Sequence, residues 1–288
     1  MPSKIFRISC VAALLLSAMS SSGCVPYVFR GKQRAAMMAP PASDTATAIK
    51  AKETHDKTTA SRDDVKPLMD AVMHQLKPSG CWACTVETTV VTSRANKPPT
   101  TTLVRFHPDK PPGQLFEILA INGLPPSEQK KDKLAARMLR NYERDLKHQR
   151  RSQSMLEQLV KNLQEGACYM EHRDNILKYT IFVGEKSTFG MRYEYEVDIN
   201  TGALVSYSKS NLHGFRIVGL LTVSVEISDV SGHYMLVEGS PAPRLQKSKD
   251  VFKGRSMGVK TEFTAESTYS DYEKVPCYDT RFSESPKI

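Results

Sequence analysis

Gly80-Cys81-Trp82-Ala83-Cys84 is the arrangement in this chain whose residue types and spacing come nearest to a reaction centre. Two cysteines separated by two residues exchange thiols for disulfides when one thiol has a depressed pKa, and export compartments are where such enzymes work. Redox pairs of this kind open a helix, whose N-terminal dipole favours the thiolate. Here the pair follows a helical stretch and leads into Thr85-Val86-Glu87-Thr88-Thr89-Val90-Val91, a strand pattern, with no βαβ unit around it. A structural disulfide is therefore expected over redox catalysis. With Cys10 and Cys24 set aside, Cys81, Cys84, Cys168 and Cys277 allow three pairings that sequence does not separate. The expected one joins Cys81 to Cys84 and Cys168 to Cys277, so that a long bridge ties the middle of the domain to its end.

Other chemistry is thinner. His74, His107 and His172 are scattered without ligand spacing, and the cysteines do not form two close pairs, so no metal is expected. Glu171-His172-Arg173-Asp174 reads as a solvated turn. Glu194 and Glu196 fall on one exposed strand face, where a hydrolase would want its carboxylates in a cleft. The chain has no G-x-S-x-G elbow, HExxH pair, P-loop or dinucleotide fingerprint, so neither an enzyme nor a cofactor is expected.

The address is clearer than the chemistry. Lys4 and Arg7, an apolar run from Ile8 to Ala18 and Ser21-Ser22-Gly23-Cys24 describe an export signal over 1–23. Gly23-Cys24 resembles the bacterial lipobox, although Ser21 stands where that pattern prefers Leu, Val or Ile. The resemblance implies cleavage before Cys24, acylation of Cys24 and a lipid-anchored mature protein. Val25, not aspartate, follows the cysteine, which in that family implies sorting to the outer membrane, facing the periplasm. Losing Lys4 and Arg7 takes the formal charge from +9 to +7, still basic. Such a charge suits anionic headgroups or glycans, while the exported address argues against nucleic acid. No later segment reaches the roughly 20 apolar residues of a membrane span.

Residues 24–60 carry Met37-Met38-Ala39-Pro40-Pro41 and a polar run without apolar period, which reads as a flexible tether. The domain is expected over 61–288. It opens at a cap, Ser61 or Asp63, before an amphipathic helix with Val65, Leu68, Met69, Val72, Met73 and Leu76 on one stripe. Strands follow at Val86–Thr92, Thr101–Phe106 and Gln114–Ile121. A helical insertion over about 126–166 holds two pieces, the first ringed by Lys130, Lys131, Lys133, Arg137, Arg140, Arg144, Lys147, Arg150 and Arg151. That basic stripe reads first as a solvated face partnered by Asp132, Glu143 and Asp145, and second as a contact for anionic lipid headgroups. Beyond it come Ile176–Val183, the cleanly alternating Met191–Ile199, an Asn200-Thr201-Gly202 turn, Leu204–Lys209, Phe215–Ser228, Tyr234–Val237 and Val259–Tyr269. The stretch 240–254 reads as a loop. Strands in sequence with helices segregated from them argue an α+β domain on an antiparallel sheet.

This order of elements behind a lipoprotein signal resembles the bacterial lipoprotein-carrier superfamily, the Lol-type carriers and receptors. The resemblance implies a strongly curved, unclosed sheet, a half-barrel, with helices packed on its concave side around an apolar cavity. More locally, Arg105-Phe106-His107-Pro108, Pro112-Gly113 and Asn122-Gly123-Leu124-Pro125-Pro126 resemble a segment of uncharacterised exported proteins of Gram-negative bacteria. The Trp typical of that segment is absent, with Phe116 nearby. On a concave sheet Tyr193, Tyr195, Phe215, Ile217, Val223 and Phe263 are expected inside, where either helices or a ligand must fill the space. The function expected is a non-enzymatic lipoprotein holding an apolar ligand or the acyl part of an envelope component. The alternatives are an assembly lipoprotein with a filled core and an envelope protein as partner, and a Cys81–Cys84 oxidoreductase.

Overall fold

The computed structural model describes residues 58–61, 63–75, 80–92, 98–149, 155–185, 190–217, 223–256 and 259–278. The export signal, Cys24 and most of the expected tether lie outside the described residues. The last residues of that tether do not: Thr58 and Thr59 form a short strand, β1. After it come helix α1 (Lys66–Gln75), β2 (Cys81–Thr92), β3 (Thr100–Phe106) and β4 (Phe116–Ile121). Helices α2 (Glu128–Gln149) and α3 (Met155–Glu165) make up the insertion. The rest is β5 (Gly166–Arg173), β6 (Ile176–Val183), β7 (Met191–Asp198), β8 (Ala203–Asn211), β9 (Phe215–Ile217), β10 (Val223–Met235), β11 (Arg244–Ser256) and β12 (Val259–Val275).

Eleven of these strands form one antiparallel path, β1-β5-β6-β7-β8-β10-β11-β12-β2-β3-β4, with β9 attached to β10. The early hairpins β2-β3-β4 thus join the sheet through the last strand, β12, and β1 does not meet β4. The result is an α+β fold on a curved, open half-barrel. Register shifts at Leu103/Val104, Glu196/Val197, Val225/Ile227, His233/Tyr234 and Ser270/Glu273 supply bends, because each bulge adds local twist and turns the strand.

Strand chemistry shows why one face is packed. In β7, Tyr193, Tyr195 and Val197 are buried, while Glu194 meets Lys178, Arg192 and Ser208 on the other side. Period two thus separates a core face from a wet face. At the β7–β8 turn the Asp198 carboxylate accepts the backbone N–H groups of Asn200 and Thr201, and Gly202 takes φ +63°, a value a side chain would disfavour. Ile199, expected on the packed face, lies in this turn and is exposed.

The helices are held by equally local chemistry. Ser61 and Asp64 cap each other, the Ser61 N–H donating to Asp64 Oδ2 and the Ser61 hydroxyl accepting the Asp64 N–H. These hydrogen bonds keep the exposed Asp64 carboxyl below its ordinary pKa. Leu68, Ala71 and Val72 of α1 then pack on β7 and β8. Helix α3 packs on β5 and β6 and runs into β5 without a loop. A Cβ at Gly166 would lie 2.5 Å from the Phe182 carbonyl oxygen, so this junction requires glycine. Helix α2 lies on β4, where Tyr142 meets Phe106 and Phe116.

Four expectations are corrected here. The presumed loop at 240–254 contains most of β11, whose inward residues Ser248 and Asp250 are polar and therefore erase the apolar alternation. Glu171, His172 and Arg173 belong to β5, and the turn follows at Asp174 with φ 51°. The single strand read at Phe215–Ser228 is a pair, Phe215 opposite Val225 and Ile217 opposite Val223. The Cys81–Cys84 segment is the first turn of pleat of β2 itself.

Candidate functional site

Cross-strand register defines the inner face. One row reads Tyr179, Tyr195, Tyr207, Gly232, Ser248, Ser267, Thr88 from β6 to β2. The next reads Ile181, Tyr193, Lys209, Val230, Asp250, Ala265, Val90. Both rows begin large and aromatic or apolar and become small or polar toward the centre of the sheet, where a concave surface has least room.

Under α1 and α3 lies the first core, with Leu68, Val72, Leu159, Tyr179, Ile181, Tyr195 and Tyr207. The Tyr179 hydroxyl donates to the Asp64 carbonyl, and the Tyr195 and Tyr207 rings are 5.3 Å apart. Burial pushes the Tyr179 phenol up to about 12 and those of Tyr195 and Tyr207 higher still. Of the expected cavity residues, Tyr193 and Tyr195 belong to this helix-covered core. Phe263, 2% exposed, stacks on Phe252 several strands away, and Phe215 is half-buried on β9. Ile217 and Val223 are described only by their backbone pairing. The six therefore do not converge on one cavity.

What sequence reading missed is a group of hydrogen-bond donors inside this core. Lys209 is 8% exposed, and its ammonium lies 5.2 Å from the ring centre of Tyr193, its partner across the β7–β8 ladder. Among the described residues it makes no ion pair and no hydrogen bond. Burial pulls it from 10.5 down to about 8. Asn162 of α3, also in this core, is 1% exposed. Its carbonyl accepts from the Gln158 side chain, and its amide turns toward the Tyr193 hydroxyl. Burial raises the Tyr193 phenol, and the adjacent Asn162 amide partly offsets that rise. The signals were present: Lys209 shares the parity of Tyr207, and Asn162 falls three residues after Leu159 on the apolar stripe.

A second core is built from strand residues only. Cys84, Val86, Leu245 and Tyr269 are buried there, with Phe106, Tyr234 and Tyr272 against them. The Tyr272 hydroxyl donates to the Leu245 carbonyl, and the Arg244 guanidinium lies 4.8 Å over the Trp82 ring. Among the described residues no helix has an extensive interface with β10, β11, β12 or β2. Tyr269 and Tyr272 also line a cleft of about 390 Å³, together with Met235, Val237, Gln246, Lys247, Thr268, Ser270 and Asp271.

The cysteines pair differently from expectation. Cys81 is bonded to Cys277, while Cys84 and Cys168 are buried free thiols. The pairing follows from register: Cys81 stands opposite Val275, so the chain leaving β12 brings Cys277 beside it. Three residues apart in an extended strand, Cys81 and Cys84 point to opposite faces. Burial pushes both the Cys84 and the Cys168 thiol up to about 11, the reverse of what a redox nucleophile needs. Iodoacetamide is accordingly expected to modify neither in the native protein and both after unfolding. Rapid native labelling of Cys84 would contradict its enclosure.

The other chemical candidates are ordinary pairs. His107 hydrogen-bonds Glu117, which holds that carboxyl below its usual value. Burial would raise the Glu194 carboxyl, but Arg192 and Lys178 outweigh it and leave it lowered. Glu196 accepts from Ser206. His74, His107 and His172 stand on α1, after β3 and on β5, and no metal-holding group of three occurs among the described residues. No described helix is long and apolar enough to cross a membrane. No protein-family model matches the chain, and no curated protein matches it.

Proposed function

We propose that the protein is a lipid-anchored envelope lipoprotein, non-enzymatic, that holds an apolar ligand or the acyl part of another envelope component in the hollow of its curved sheet. The observation that carries this reading is the second core. It consists of strand side chains alone and opens at Tyr269 and Tyr272 into the 390 Å³ cleft. A volume above ~300 Å³ is in the range of small-ligand sites, and Met235, Val237, Tyr269 and Tyr272 give this one apolar wall beside its polar groups. Met235, at the cleft wall, is 38% exposed and the adjacent Leu236 54%, so apolar surface extends out of the mouth. Anchoring through Cys24 at the outer membrane, in the manner of a Lol-type carrier or receptor, completes the proposal.

Native mass spectrometry with organic extraction tests it, on full-length protein carrying Cys24→Ser so that no covalent lipid at that residue confuses the count. Co-purifying lipid at near-equal stoichiometry is expected, falling at least about tenfold in Met235→Glu, because a carboxylate in an apolar wall must be desolvated. Met235 is exposed, so that variant should fold. Protein that is clean, and stays so after incubation with envelope lipids, would overturn the proposal. Such an outcome would favour an assembly lipoprotein with a protein partner, a reading supported by the sealing of Tyr193 and Tyr195 beneath α1 and α3.

A further inference from the structure

Helix α2 turns its apolar side to β4 and a charged side away from it. Tyr142 packs against Phe106 and Phe116, and Met138 and Leu134, one and two turns earlier, are half-buried on the same side. Lys130, Lys133, Arg137, Arg140 and Arg144 recur at intervals of three and four residues, which keeps them within an arc of roughly 80° at 3.6 residues per turn. Their row is about 21 Å long at 1.5 Å per residue. The acidic residues of this helix, Glu128, Asp132, Glu143 and Asp145, all fall outside that arc. Lys130, Lys133 and Arg140 are exposed, and among the described residues none of the three has an ion pair; the Glu128 carboxylate is engaged by Lys131 instead. Arg137 and Arg144 are half-buried and already engaged, Arg144 with the Asn141 side-chain oxygen. A merely solvated helix face intersperses both signs, because like charges three and four residues apart repel. Five cations in one row carry that repulsion, and a negative surface would relieve it.

We infer that this outward row of α2 is a docking face for the anionic headgroup surface of a membrane. Shape narrows the partner to a plane. A helix is convex and meets a plane along one line, and here that line is the cation row. No aromatic residue stands in the row, whereas single-stranded nucleic acid is held by aromatic stacking as well as by charge. The apolar side of α2 is committed to β4, so the contact is electrostatic, at headgroup level, without the insertion of an interfacial amphipathic helix. The docking face rests on the lipid-anchored envelope reading for its setting, but not on the cleft. Between Cys24 and Thr58 lie 33 residues, a reach of at most roughly 110 Å, which is long enough for the face to meet the leaflet that holds the anchor.

Co-sedimentation of the full chain carrying Cys24→Ser with vesicles tests this, since it requires neither an anchor nor a cleft ligand. Vesicles of phosphatidylethanolamine and phosphatidylglycerol should bind the protein; vesicles of phosphatidylcholine alone read whatever hold the export signal exerts. The triple variant Lys130→Gln, Lys133→Gln, Arg140→Gln should weaken the anionic binding at least about tenfold, since each cation near such a surface contributes several-fold. Glutamine keeps the helix propensity, so this variant should fold. Removing the same charge from β11 and β12, with Lys249→Gln, Arg255→Gln and Lys260→Gln, should change binding by no more than about twofold, because those exposed cations lie off the row. Raising the salt from about 0.01 to about 0.15 M should weaken binding steeply, as the screening length shortens from about 30 to about 8 Å. Equal losses in the two triple variants would mean that overall charge is read and would overturn the docking face. No preference for the anionic vesicles would overturn it as well, and lipid still co-purifying would then leave the cleft reading standing. Row-dependent anionic binding by a protein clean of lipid would uphold the face and remove the cleft reading alone. Row-dependent binding to heparin without binding to the vesicles would overturn the membrane assignment in favour of a soluble polyanion.

Discussion

Lys209→Met is expected to make the ligand-free protein more stable, by roughly 3 kcal/mol at pH 7. The reasoning is linkage. Lys209 has its pKa lowered from 10.5 to about 8 on folding, and each unit corresponds to ~1.4 kcal/mol of preference for the neutral form. Below pH 8 the lysine is protonated in both states, and the folded state carries the whole cost of enclosing the charge. Between pH 8 and 10.5 the folded state has lost the proton that the unfolded chain still binds, so stability rises with pH. Methionine matches the lysine stem in length and brings no charge, so it removes the cost without leaving a cavity. The advantage of the variant should therefore be large in urea denaturation at pH 7 and much smaller at pH 9.5. Above about pH 10 the buried tyrosines act in the opposite sense, since their raised pKa values favour the neutral form only in the folded state. A variant less stable than the parent at pH 7 would mean that the ammonium has a counter-charge.

Opening the Cys81–Cys277 bridge is expected to cost about 5 kcal/mol on the chain-entropy view, because its closing residues lie 196 apart. Comparable losses are seen when native bridges are removed from small secreted domains, and they take up much of the stability a domain has. Cys277→Ser should therefore lower the unfolding midpoint sharply, and reductant should lower the parent's midpoint but not the variant's. The bridge fastens the end of β12 to the first residue of β2, and Tyr278 just beyond donates its N–H to the Pro108 carbonyl. Loss of the bond should thus release the segment that joins the early hairpins to the rest of the sheet. Limited proteolysis would read this as cleavage near residue 277. Intact mass offers a second check, since one bridge lowers the mass by about two hydrogens and two bridges by about four. A Cys277→Ser protein as stable as the parent would show that strand pairing alone holds that edge.

These two expectations arise where the pattern along the chain was least informative. Alternation in β7 was legible because each residue of Met191–Asp198 obeys one rule, apolar inward and charged outward, and the Asn200-Thr201-Gly202 turn needed only local chemistry. The reciprocal Ser61–Asp64 cap, the stripe of α1 and the two-part insertion were legible for the same reason: their determinants lie within four residues. Together they were enough for an α+β domain on an antiparallel sheet. By contrast, β11 was hidden because a concave face lined with Ser248 and Asp250 carries no apolar period, and β5 because Glu171 and Arg173 satisfy one another within a strand. The partner of Cys81, the place of Lys209 under a helix and the separation of Phe263 from Tyr193 depend on which strand lies next to which, and at what register. Those are contacts between residues up to two hundred positions apart, decided by packing a curved sheet under two helices. No window of neighbouring residues contains that information.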